Sequence, residues 1–180
     1  QGNGLIGSRL RYFIDPVIAG LERSMVMRDA IGASLGTPRT YARVGMIGHS
    51  GGGWTTTLAA AVEPRITHSY AVAGSVPFGH RAPGEGVHDW EQWEGIQGLE
   101  VDYHDLYLMA AAETTRKARV MFNGGESNFN SHQVNGFAWP LVQIAKSGGY
   151  GDFRILVDTD AQEHAITPPH LDFILSEFCA

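Results

Sequence analysis

A serine set among glycines, and a histidine more than a hundred residues later, carry the chemistry of this sequence. Gly48-His49-Ser50-Gly51-Gly52 has the pattern Gly-x-Ser-x-Gly, with the apolar run Val44 to Ile47 before it and a small-residue stretch from Gly53 after it. Strand, sharp turn and helix in that order form a nucleophile elbow, which lifts a serine hydroxyl clear of a sheet. Gly48, Gly51 and Gly52 suit a turn pressed against neighbouring backbone, where a Cβ finds no room. The helix that follows aims its first N–H groups at Ser50, so the Gly51 N–H is the expected donor to an oxyanion.

A serine hydroxyl stays a weak nucleophile until a base takes its proton and a carboxylate orients that base. The expected chain order is serine, acid, histidine, with acid and base on loops that follow strands. His164 fits the base, lying between the predicted strand Phe153 to Val157 and the last predicted helix. Glu126 leads as the acid, four residues after the predicted strand Arg119 to Phe122. Asp89, on the long loop after the preceding strand, is the alternative. Asp158 and Asp160 flank the base and read first as residues that stiffen its turn. His49 adjoins the serine, but its side chain is expected to point away from the base.

No His-Glu-x-x-His pattern and no Cys/His cluster occurs, so neither a metal nor a metal mechanism is expected. Gly2 to Gly7 spell a formal Gly-x-Gly-x-x-Gly without the preceding strand a dinucleotide site needs, and no cofactor is expected.

Holding these groups together takes alternating strands and helices. Tyr41 to Ile47 is the predicted elbow strand, Gly53 to Val62 its helix, and Ile66 to Val76 the next buried strand. Tyr103 to Ala112 and Gln133 to Lys146 read as helices, the latter divided at Pro140 as the first residue of its second part. Thr167-Pro168 starts a last helix with Leu171, Ile174, Leu175 and Phe178 on one face. Upstream, apolar spacing predicts a helix from Leu10 to Leu21, kinked or begun at Pro16, and a second from Met25 to Leu35. Such alternation implies a parallel sheet, and residues 1–180 read as a single α/β domain.

Composition narrows the partners. Charged residues make up 18% of the 180 residues and the net charge is −6, which disfavours a nucleic-acid partner. No apolar run is long enough for a membrane span. Cys179, the single cysteine, has no internal disulfide partner.

The run Gly48 to Thr56, continued by Glu63-Pro64-Arg65-Ile66 and Ala73-Gly74-Ser75-Val76-Pro77, resembles a group of bacterial α/β hydrolases. Tyr12-Phe13-Ile14-Asp15-Pro16-Val17, Asp89-Trp90-Glu91-Gln92, Asp105-Leu106-Tyr107 and Glu163-His164-Ala165-Ile166-Thr167 are similar to it as well. The resemblance implies an α/β-hydrolase fold, with Ser50 as nucleophile and His164 as base. That group has Asn-Gln-Tyr-Asp at the acid turn, where this chain has Asn123-Gly124-Gly125-Glu126. It also has strands ahead of the elbow strand, one of which brings the second oxyanion N–H. Here they are expected upstream of Gln1, leaving the chain as the C-terminal catalytic part of the fold.

The expected activity is hydrolysis of a small-molecule carboxylic ester through an acyl-enzyme on Ser50. The aromatic loop with Trp90, Trp93 and Tyr103 is a candidate pocket wall. Peptidase or amidase chemistry on the same residues is the alternative, as is a non-catalytic subunit or fragment. The elbow strand is expected to lack its usual neighbour, so a second polypeptide, ahead of self-association or an N-terminal segment folded over the gap, is expected to complete the sheet.

Overall fold

A computed structural model describes residues 10–81, 101–129 and 131–180. They fall into two compact units, Gln1–Ala42 and Arg43–Ala180.

The first unit is built on one helix, α1 (Arg11–Ser34), in place of the two expected. Pro16 lies inside it and costs the backbone bond to Tyr12. Beyond it, Glu22 to Ala30 hold no glycine or proline, so nothing interrupts propagation. The helix stops at Gly36, whose φ of 66° places it in the left-handed region. Thr37 N–H donates to Gly32 O and Gly36 N–H to Ala33 O, which closes the last turn.

The second unit runs β1 (Gly45–His49), α2 (Gly51–Val62), β2 (His68–Val72), α3 (Tyr103–Met109), β3 (Lys117–Asn123), α4 (Ser131–Asn135), α5 (Ala138–Ser147), β4 (Asp152–Asp158) and α6 (Pro168–Cys179). The strands form one parallel sheet in the order β1-β2-β3-β4. The alternation read from the sequence is therefore the alternation found, with tighter limits. β1 starts at Gly45 and not Tyr41. β2 ends at Val72 because Ala73, at φ 45°, turns the chain out of the sheet. Pro140 is the third residue of α5, after Phe137 at the N-cap.

β2 is buried at every position and β3 at all but its first, which matches strands covered on both faces. β1 and β4 are the outer strands among the described residues, and Ile47 on β1 is half exposed. α2 buries Gly53, Trp54 and Thr56 to Ala61. Trp54 Nε1–H donates to the Tyr103 hydroxyl at 2.7 Å, which locks α2 to α3 and satisfies two buried polar atoms. Tyr103 thus belongs to the core.

Arg119, fully buried on β3, donates to Glu177 of α6 at 2.9 Å and to Asp152 of β4 at 2.6 Å. A buried guanidinium needs such compensation, and here it ties the last helix to the sheet. The register sets His49 opposite Val72, Val72 opposite Met121, and Asn123 opposite Asp158. The segments that carry Ser50, Glu126 and His164 therefore leave the carboxyl ends of the parallel strands, where such α/β sheets place their sites.

Candidate active site

Ser50 sits between β1 and α2 with φ 55° and ψ −124°, a conformation that L-residues rarely adopt. Two backbone bonds hold it there. Its N–H donates to Val72 O at 3.0 Å, and its carbonyl accepts from Trp54 N–H at 2.9 Å to begin the helix. The turn is closed too tightly for side chains. A Cβ on Gly48 would lie 2.0 Å from Gly52 O, and one on Gly53 would lie 2.5 Å from Val72 O. Gly52, expected to be as crowded, faces open space. Its contribution is its carbonyl, which fills the room beside Gly48 and accepts the Thr56 hydroxyl at 2.9 Å. Gly51 is the first residue of α2, directly after the serine.

Glu126 and His164 are brought together from two turns. The Glu126 side chain is 1% exposed, and its Oε2 lies 3.0 Å from His164 Nδ1. Its Oε1 accepts the Phe129 N–H at 2.7 Å, so both carboxylate oxygens are engaged. Burial raises the Glu126 carboxyl above its ordinary value, against the lowering pull of His164, Phe129 and Asn123. The His164 side chain stays one-third exposed and accessible to a substrate. A carboxylate on Nδ1 fixes that nitrogen as the donor and leaves the Nε2 lone pair free to take a proton.

The two turns touch at backbone distance. Gly124 N–H donates to Asp158 O at 2.8 Å and Gly125 N–H to Ala161 O at 2.9 Å. A Cβ on Gly124 would come within 2.9 Å of Thr159 Cα, which accounts for the glycine ahead of the acid. Asp158 stiffens the base turn as expected: its Oδ2 accepts from the Thr167 hydroxyl at 2.7 Å and its Oδ1 from Asp160 N–H at 3.2 Å.

His49 departs from the expectation. Its ring does not point away from the base but packs on His164, with centroids 4.4 Å apart and planes tilted by 48°. Strand alternation sends a side chain to one face, but at the last residue before the elbow the chain already bends toward the site. Burial, then His164 and His170, hold the His49 pKa below its ordinary value. Phe129 stacks near the same imidazole at 6.0 Å. Asn123, read only as the entrance to a turn, also belongs here: its Nδ2 donates to Glu163 O and Ala165 O. Asp89, Trp90, Trp93 and Gly2 to Gly7 lie outside the described residues. Among the described residues no cluster of metal-ligating side chains occurs, and no helix is long and apolar enough to cross a membrane.

No protein-family model matches the chain, and no curated protein matches it in sequence. Solved structures do match in shape. One is a protein of Klebsiella pneumoniae subsp. pneumoniae MGH 78578 assigned as a dienelactone hydrolase, at TM-score 0.50 and 14% identity. A second is the methylesterase BT1017, at TM-score 0.52 and 20% identity. The fold is that of the α/β hydrolases. The chain aligns over 79% and 87% of its own length but covers only 54% and 34% of those proteins, so it spans about half of the first and a third of the second. In an α/β hydrolase the elbow lies at the carboxyl end of its strand with acid and base on later turns, the chain order of Ser50, Glu126 and His164 here.

Proposed function

We propose that the protein is a serine hydrolase acting on carboxylic esters, with Ser50 as nucleophile, His164 as general base and Glu126 as the orienting acid. The observation that carries this reading is the 3.0 Å bond from His164 to a buried carboxylate; His49, the residue before a serine held at φ 55° in an elbow, packs its ring on that imidazole. His164 Nε2 takes the Ser50 proton as Oγ attacks the ester carbonyl, and the Gly51 N–H donates to the oxygen that gains charge. The same nitrogen returns the proton to the departing alkoxide, which leaves an acyl-enzyme. Water then attacks with His164 again as base, releasing the acid and restoring the serine. Ester is favoured over amide because both structural neighbours are named for ester or lactone cleavage.

The test is covalent labelling. A fluorophosphonate is expected to modify wild type at Ser50, and Ser50→Ala to lose both the label and hydrolysis of a short-chain aryl ester. Loss of a triad nucleophile costs about 10⁶ in rate, well beyond any packing effect. Wild-type turnover retained by Ser50→Ala would refute the assignment.

A further inference from the structure

We propose that Asn123 is the positioning residue of this site: its side-chain amide sets the height at which the base turn presents His164 to Glu126. The inference rests on the reading of Ser50, His164 and Glu126 above. Asn123 is the last residue of β3, is paired in register with Asp158 of β4, and is fully buried. Its Nδ2 donates to Glu163 O at 2.6 Å and to Ala165 O at 2.9 Å. Those two carbonyls belong to the residues on either side of His164. The same nitrogen lies 3.5 Å from Glu126 Oε2. One amide therefore touches both backbone neighbours of the base and the carboxylate that the base must meet.

The surroundings require that side chain. Two carbonyl oxygens and a carboxylate form an all-acceptor pocket, and a neutral amide supplies two N–H donors from one nitrogen without adding charge. Aspartate would bring two acceptors into the same space, and glutamine an extra methylene into a closed site. The start of the base turn is also held by Gly124 N–H on Asp158 O and Gly125 N–H on Ala161 O, and Ala165 N–H closes on Glu163 O at 3.0 Å. The Asn123 amide bonds the carbonyls on both sides of His164, nearer the ring than either of the first two. Without the amide, His164 keeps its ring contacts with His49 and Phe129 but loses the fixed distance from its backbone to the acid. A displacement of about 1 Å at such a group costs about 10²-fold in rate.

The experiment compares Asn123→Leu, which keeps the volume and removes the donors, with wild type and with Tyr107→Phe. The last deletes a buried hydroxyl whose bonds go to Ser75 and not to Asn123, Glu126 or His164, and reports a structural loss. Two readouts are followed below the melting temperature: steady-state hydrolysis of a short-chain aryl ester, and the downfield proton resonance of His164 Nδ1–H on the carboxylate. Asn123→Leu is expected to lose about 10²-fold in kcat with KM within about twofold, and to lose or broaden the resonance. Tyr107→Phe is expected to keep both. A folded Asn123→Leu with wild-type kcat and an intact resonance overturns the proposal. If that variant does not fold, Asn123→Ser, with one donor on a shorter arm, decides by the same readouts. A wild type that shows the resonance but takes no fluorophosphonate overturns the hydrolase reading alone, and the resonance in the Asn123 variants still decides the positioning role.

Discussion

Glu126 works where a carboxylate is least comfortable. Burial lifts its pKa above the ordinary 4.5, so the folded protein holds that proton more tightly than the unfolded chain does. From pH 4.5 up to the raised folded value, the unfolded state binds fewer protons, and stability falls as pH rises through that window. Above it the loss is complete and constant. Glu126→Gln removes the charge, so at pH 7 the variant is expected to melt no lower than wild type, with any gain gone below pH 4.5. Its kcat is expected to fall by about 10²–10⁴. Melting curves at both pH values, set beside turnover, test this; a variant that melts lower at pH 7 and keeps its kcat contradicts both halves. The elbow at Ser50 and the pairing of Glu126 with His164 were legible because motif and chain order constrain them. Asn123 and His49 were not. The carbonyls Asn123 bonds are 40 and 42 positions away, a separation no local pattern encodes. His49 followed strand alternation on paper until the elbow turned its ring onto His164.

The elbow stores strain at the level of the element. A non-glycine residue at φ 55° and ψ −124° costs about 1–3 kcal/mol. Alanine at position 50 keeps that cost, whereas glycine relieves it and gives back about 0.5–1 kcal/mol as unfolded-chain entropy. Ser50→Gly is therefore expected to be more stable than Ser50→Ala by about 1 kcal/mol, with both inactive. Chemical denaturation of the pair measures the difference, and equal midpoints would mean the turn is unstrained. Element types were readable because β2 and β3 lie between turn signals and α2 is a run of small residues. Element limits were less so. The apolar stretch at 66–76 gives no hint that Ala73 adopts φ 45°, and Met25 to Leu35 gives none that α1 continues through it.

Across the molecule, four histidines among the described residues are held below their ordinary value of 6.5, chiefly by burial: His49, His68, His80 and His170. Each charges more readily in the unfolded chain, so stability is lost as pH falls through 6.5 toward the lowered folded values. The thermal midpoint is expected to drop steadily from pH 7.5 to 5.5, before most carboxylates protonate. A flat profile over that range would mean these rings are solvated. The topology itself was legible, since strands alternating with helices leave few arrangements other than a parallel sheet. The order β1-β2-β3-β4 along that sheet is also the order of synthesis. At ~5–20 residues per second, the elbow leaves the ribosome about ten seconds before His164 does. Each described strand adds beside the one made before it, and His164 follows all four. A growing chain thus holds Ser50 well before it holds the imidazole proposed to activate it.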